Sequence, residues 1–322
     1  MSGVKVVQYP AGIDDVERCM REPEGVSRLT TVGPSQLTLS CDDDFRLEAT
    51  CFEAAGAPRA IIVVASALGV TRRTYQRFGE FMAAQGVACL TFDYRGIGES
   101  VPSEGQESLV DMERWGRQDI DAAIRGAASL YPGTPIFLLG HSCGAQLFGL
   151  APASKRLSGA IMVAPSLPHS SRYPFPDRYA LRFMWRVMVP LLGRGAAYKA
   201  MTVPGMRGAV APKAVFKQWA KWCCSREYLF DAKFKIDTTS YSMLNLPLLV
   251  VSVSDDEQAP AMAVDALIKY FPQAEVERRV VDVQRLGFGS VGHMGFFRSK
   301  TRDALWFPLM AWMGRHRDRK VI

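Results

Sequence analysis

Ser142 sits in Gly140-His141-Ser142-Cys143-Gly144, directly after the apolar run Ile136-Phe137-Leu138-Leu139 and directly before a stretch of small residues. A serine on a tight strand-to-helix turn takes strained backbone angles, and flanking glycines leave room for them. Such a turn lifts the hydroxyl clear of the sheet, and the helix start behind it offers unpaired backbone N–H groups to a developing negative charge. The chemistry this suggests is nucleophilic attack by Ser142. The plainer alternative is a serine that only caps a helix.

A serine hydroxyl is a weak nucleophile at neutral pH and needs a general base. The chain holds four histidines. His141 adjoins the serine and points off the turn, His169 stands at the mouth of an irregular region, and His316 lies in a basic tail. His293 remains, in the Gly-rich loop Gly289-Ser290-Val291-Gly292-His293-Met294-Gly295 that follows an expected strand near Val276 to Val281. The base must in turn be oriented by a carboxylate. The stretch 249–260 offers two at the end of a strand-like run, Asp255 and Asp256. Asp256 is preferred because its distance to Pro260 leaves a short turn before the next helix; Asp255 is the second candidate, and either could serve as a helix cap.

The elements that must position these residues are legible in the pattern. Residues 36–40 and 45–52 alternate apolar with polar across the acidic turn Asp42-Asp43-Asp44, as an antiparallel hairpin does. Continuous apolar runs at 60–65, 87–92, 136–139, 160–163 and 246–253 read as strands covered on both faces. Between them, 71–85 and 114–130 carry helical spacing. The βαβ rhythm predicts an α/β fold: a mostly parallel, doubly wound sheet with a leading antiparallel hairpin. The rhythm breaks over 167–240, which is expected to be an inserted helical cap between core segments 36–166 and 241–315. Residues 1–35 are an N-terminal extension without a readable role.

Composition bounds the rest. With 322 residues, 48% hydrophobic and 22% charged, the chain can build a sizeable core and is too apolar for disorder. The start lacks the apolar segment of a secretory signal and no stretch is long enough to span a bilayer, so a cytoplasmic location is expected. Seven scattered cysteines without a CxxC pair argue against a disulfide framework and a zinc site. No metal or cofactor is implied. Ten of the 39 Lys and Arg lie between Arg178 and Arg226 with no Asp or Glu among them, which leaves the remainder slightly acidic. That basic run is interleaved with Met, Trp, Val and Leu, not with Gly and polar residues, so nucleic acid is not the expected partner.

Asp93-Tyr94-Arg95-Gly96-Ile97-Gly98-Glu99-Ser100 resembles the D-x-R-G-x-G-x-S turn of the α/β-hydrolase superfamily, and Ser142, Asp256, His293 follow that superfamily's chain order of nucleophile, acid and base. Over roughly residues 36–315 the sequence is similar to the capped branch of serine aminopeptidase-like and monoacylglycerol-lipase-like enzymes. The resemblance implies an α/β-hydrolase fold and an oxyanion hole made by the amides of Leu68 and Cys143. It departs from the common pattern at Ala65-Ser66-Ala67-Leu68-Gly69-Val70, where many relatives carry His-Gly.

The segment 178–192 spaces Arg178, Arg182 and Arg186 four apart on an otherwise apolar helix. The plainer reading is a cap helix that packs its apolar face on the body with its arginines in water; the alternative is that its apolar underside, with Met184 and Met188, lines an acyl pocket. Its basic face suits an anionic carrier or a membrane surface, while nothing in the chain sets an oligomeric state. The function these readings converge on is a serine hydrolase that cleaves a small-molecule carboxylic ester or thioester through an acyl-enzyme. An acyltransferase using the same intermediate, and a non-catalytic ligand-binding relative, are the alternatives. A peptidase for small N-terminal residues is disfavoured by the basic cap and by the lack of any marked acidic site for an amine.

Overall fold

The computed structural model describes residues 5–9, 33–188, 200–202 and 210–319. Most of the N-terminal extension, and Arg194, Lys199 and Arg207 of the basic run, lie outside them.

Nine strands form one sheet: β1 Lys5–Tyr9, β2 Ser35–Ser40, β3 Arg46–Phe52, β4 Ile61–Ala65, β5 Ala88–Phe92, β6 Ile136–His141, β7 Gly159–Val163, β10 Pro247–Val253 and β11 Glu275–Val281. Their spatial order is β1-β11-β10-β7-β6-β4-β5-β3-β2. The pairs from β1 to β5 in that order are parallel, and β3 and β2 complete the sheet antiparallel. This is the mostly parallel, doubly wound sheet with a leading hairpin that the sequence pattern predicts. Every residue of β4, β5, β6, β7 and β10 is buried, which requires cover on both faces. On β2 exposed and covered positions alternate instead, as at an edge. One addition was not legible: β1, inside the presumed extension, pairs in parallel with β11.

Helices α1 Gln76–Ala84 and α2 Asp121–Leu130 follow β4 and β5. Helix α3 Cys143–Leu147 opens directly behind β6, α6 Ala261–Ile268 follows β10, and α7 Arg302–His316 closes the described fold. Phe78 of α1 packs edge-on against Trp306 of α7 at 5.4 Å, and Trp312 reaches Phe137 of β6, so α7 is riveted to the centre of the sheet by aromatic side chains.

Between β7 and β10 no strand among the described residues joins the main sheet. The interval holds α4 Asp177–Phe183, whose last turn runs on as a π-helical stretch Met184–Met188, a short antiparallel ribbon of β8 Ala200–Thr202 and β9 Val210–Pro212, and α5 Lys213–Cys223. The ribbon differs from the purely helical expectation, because three-residue strands are too short to leave a period in sequence. The interval is tied down on the core: the Val210 amide donates to Gly69 O at 3.1 Å, and Gln218 of α5 accepts from the Met112 amide at 2.6 Å.

Candidate active site

The turn after β6 is strained where the sequence places Ser142. Its φ is +52° and ψ −111°, a conformation that costs a non-glycine residue of order 1–3 kcal/mol. The neighbours show why glycine flanks it. A Cβ on Gly140 would come within 2.5 Å of Ala145 N, and one on Gly144 within 2.2 Å of Ala65 O, so α3 can pack this close to β4 and β6 only without side chains there. Ser142 is half-buried, its amide anchored to Val163 O at 2.9 Å.

His293 stands on the loop after β11, buried, with its Nδ1 2.8 Å from Asp256 Oδ2. Asp256 is buried as well, and its other oxygen accepts from the Gln258 amide. The neighbouring carboxylate faces elsewhere. Asp255 accepts from Ser290 Oγ and the amides of Val291 and Gly292 at 2.8–3.0 Å, which clamps the backbone of the loop that carries His293. Partial burial pushes against ionisation of Asp255, but these donors outweigh it and hold its carboxyl below the usual range.

The other histidines are elsewhere. His141 lies fully buried beneath His293 with ring centroids 5.3 Å apart. His169 bonds Ser171 at 2.8 Å, and His316 packs on Trp312 at the end of α7. Of the four, His293 alone lines the cavity that Ser142 opens into.

That cavity is about 300 Å³ and is lined by Leu68, Cys143, Leu181, Met184, Trp185 and Trp219 along with Ser142 and His293. Leu68 and Cys143 therefore both border it. The loop that carries Leu68 takes its positive φ, +71°, at Gly69, so the bend does not need a glycine at Ala67. The Cys143 thiol is buried, approaches Ser66 O, and is pushed up by burial, which makes it a packing group and not a thiolate. Met184 lines the cavity, but Met188 does not: it is 37% exposed.

Several lining residues left no readable signal in sequence. Trp185 and Trp219 meet edge-to-face at 4.7 Å, one from the π-helical stretch and one from α5, and only the folded arrangement brings them together. Asp177 and Glu257 also border the cavity. Asp177 falls one residue before the basic run, so the charge pattern conceals it. Two buried polar atoms of the lining residues lack a hydrogen-bond partner among the described residues: Nε2 of His293 and Nε1 of Trp185. A cavity bordered by a strained serine and an imidazole tied at one nitrogen and open at the other can transfer a proton to and from a bound group.

The model of the family described as serine aminopeptidase, S33, matches residues 56–213. A monoglyceride lipase homolog of Monkeypox virus is 27% identical over 128 residues, covering 39% of this chain and 45% of that protein. Human monoglyceride lipase is 27% identical over 112 residues, 34% of this chain and 36% of the lipase. The chain thus matches less than half the length of these relatives. Over the whole fold, a soluble variant of the Saccharomyces cerevisiae monoglyceride lipase, solved with a substrate analog, superposes with a TM-score of 0.64 at 14% identity, covering 92% of this chain and all of that one. The chain has the α/β-hydrolase fold. Its sequence likeness runs to monoglyceride lipases, and it carries the elbow serine, the late histidine loop and the sheet order of that fold. No helix of the chain is long and apolar enough to cross a membrane, among the described residues.

Proposed function

We propose that this α/β-hydrolase cleaves a carboxylic ester or thioester of an apolar acyl group through an acyl-enzyme on Ser142. Ser142 Oγ attacks the acyl carbon while its proton passes to Nε2 of His293. Asp256, on Nδ1, holds the ring in the tautomer that leaves Nε2 free to accept and steadies the imidazolium that forms. The amides of Leu68 and Cys143 receive the charge on the carbonyl oxygen. The imidazolium then protonates the leaving alcohol or thiol, and water repeats the sequence to free the acid. One observation carries this reading: the His293–Asp256 pair at 2.8 Å is closed on the Nδ1 side and has no partner at Nε2 among the described residues, and His293 lines the same cavity as the strained Ser142.

The acyl pocket would lie under the segment between β7 and β10, which we read as a cap, with Leu181, Met184, Trp185 and Trp219 as its wall. Its volume of about 300 Å³ is at the lower end for ligand cavities and favours short or medium acyl groups. The test is a panel of acyl esters and thioesters of increasing length, run beside Ser142→Ala. Turnover that vanishes with Ser142 and peaks at one acyl length is the expected result; equal turnover by folded Ser142→Ala protein would refute the mechanism. Asp177 and Glu257 favour a second reading of the leaving group, as one that carries hydrogen-bond donors such as hydroxyls or an amine. Esters of a polyol against simple alkyl esters of the same acid separate the two.

The outer face of the cap supports a partner of its own. Phe175, Tyr179 and Phe183 follow at helical spacing and are 76%, 60% and 56% exposed, beside exposed Arg178, Arg182 and Arg186. An apolar stripe flanked by cations suits the surface of an anionic bilayer better than a carrier phosphate, which would need only the arginines. Sedimentation with anionic but not neutral vesicles, lost in Tyr179→Ser/Phe183→Ser, is the expected outcome. Equal sedimentation of that variant would remove the proposal.

A further inference from the structure

The fully buried pair Tyr75 and His141 is used by neither the nucleophile nor the acid, yet it joins the Ala67 loop, the elbow and the His293 loop. Nε2 of His141 lies 2.9 Å from the backbone oxygen of His293, Nδ1 lies 2.9 Å from Tyr75 Oη, and the Ala67 amide donates to that same hydroxyl at 3.0 Å. The direction of each bond follows from elementary valence. A backbone oxygen only accepts, so Nε2 of His141 must carry the hydrogen. The Nδ1 of a neutral imidazole then only accepts, so the Tyr75 hydroxyl must donate to it. The lone pair left on Tyr75 receives the Ala67 N–H. Both side chains have 0% exposure, so no solvent is at hand to substitute for a missing member.

We propose that Tyr75 and His141 are positioning residues: a one-way hydrogen-bonded strut, from Ala67 through Tyr75 and His141 to the His293 backbone, that fixes the oxyanion loop, the elbow and the base in register. The three ends sit beside the groups that react. Ala67 precedes Leu68, His141 precedes Ser142, and His293 is held at its own carbonyl. Asp256 fixes the imidazole at Nδ1; the strut fixes the backbone from which that imidazole hangs. Together they leave the ring little freedom except at Nε2. The arrangement works only while His141 is neutral, since a proton on Nδ1 would meet the hydroxyl hydrogen of Tyr75 head-on. Burial, with the nearby His293 ring as a smaller cause, holds the pKa of His141 down to about 3, so the strut persists through the neutral range.

The proposal rests on the serine-hydrolase reading, and its test separates the two. Hydrolysis of a soluble activated ester is measured for the parent, Tyr75→Phe, His141→Leu and His141→Gln, with active sites counted by a serine-directed phosphonate. Tyr75→Phe and His141→Leu are expected to lower kcat per active site about 10- to 100-fold with KM within about twofold, the size of loss expected when reacting groups shift by a fraction of an ångström to an ångström. His141→Gln retains an N–H for the His293 oxygen and an acceptor for Tyr75, and is expected to recover most of the loss. If all three variants lose stability but keep kcat within twofold, the pair is structural and the strut is refuted. If the parent shows no Ser142-dependent turnover, the hydrolase reading falls and the strut's catalytic purpose with it. A measurement on the unaltered protein guards against variants that fail to fold: in the ¹⁵N spectrum of the histidine-labelled chain, His141 should remain neutral with its hydrogen on Nε2 from pH 8 to pH 5. Titration of that ring near its ordinary pKa would overturn the proposal.

Discussion

Asp256–His293 and Asp119–Arg95 are both buried acid–base pairs, at 2.8 and 2.7 Å, in the same molecule. Around Arg95 every side-chain nitrogen has a partner. Its Nε and amide go to Asp119, its terminal nitrogens to Asp43 and Leu109 O, and its guanidinium lies 4.7 Å from the centre of the Phe45 ring. Neither Arg95 nor Asp119 lines the cavity beside Ser142. The pair therefore locks the turn after β5 against the π-helical stretch Trp115–Ile120 before α2, and nothing is left over to react. Around His293 one nitrogen is satisfied and the other has no partner among the described residues, and the residue lines the cavity beside Ser142. Burial and pairing alone do not distinguish a structural ion pair from a catalytic one; the open valence does.

The contrast breaks most visibly by substitution at the open end. Ser142→Ala and His293→Ala are expected to lower kcat by roughly 10⁴–10⁶, with little change in the urea midpoint. Asp256→Asn should follow at roughly 10³–10⁴, because the amide no longer enforces the tautomer that keeps Nε2 unprotonated. At the saturated pair the loss should move from rate to stability. Asp119→Asn leaves a buried guanidinium with only Asp43 opposite, and should cost about 3 kcal/mol in urea unfolding while kcat per folded molecule stays within about twofold. A drop in kcat comparable to that of Asp256→Asn would show that the two pairs are not separable in this way.

What was legible in sequence divides along the same line between local and distant. The strands β4 to β7 and β10 announce themselves as uninterrupted apolar runs, and the elbow as a serine between glycines that follow one of them, because each rule spans fewer than ten residues. The position of a carboxylate at the end of β10 was equally plain. The direction each of two adjacent carboxylates takes was not, since one contacts the His293 ring and the other the backbone of the same loop, and both partners lie far along the chain. The tryptophan wall of the cavity, the β1–β11 pairing and the Tyr75–His141 contact escaped for the same reason: each joins segments that no local period links.

Asp255 sharpens the comparison from inside the site. It is a carboxylate with three donors from one loop, so it resembles the saturated pair chemically while sitting next to the open one. Asp255→Asn keeps the shape but weakens the bonds to the Val291 and Gly292 amides, and should let the His293 loop loosen. About tenfold lower kcat is the expected result, well short of the effect of Asp256→Asn. A larger loss from Asp255→Asn than from Asp256→Asn would exchange the two roles.

The smallest expected effect is a slope. The groups that face the His141 ring are the Tyr75 hydroxyl, the His293 ring at 5.3 Å, the Phe297 ring at 4.9 Å and the His293 backbone oxygen; that oxygen favours a cation, but burial outweighs it. In the folded chain His141 therefore stays neutral down to about pH 3, whereas in the unfolded chain it takes up a proton near its ordinary value of 6.5. Between those values the unfolded state binds the extra proton, so stability is lost as the pH falls, by at most about 1.4 kcal/mol for each unit, and the contribution is intact above 6.5. His141→Gln has nothing to titrate at this position. Urea unfolding of the parent and of this variant at a series of pH values from 7 to 4 should give curves that converge toward the acid side, as the parent loses its advantage. Parallel curves would mean that His141 is protonated equally in both states, which a ring sealed between Tyr75 and the His293 backbone cannot be.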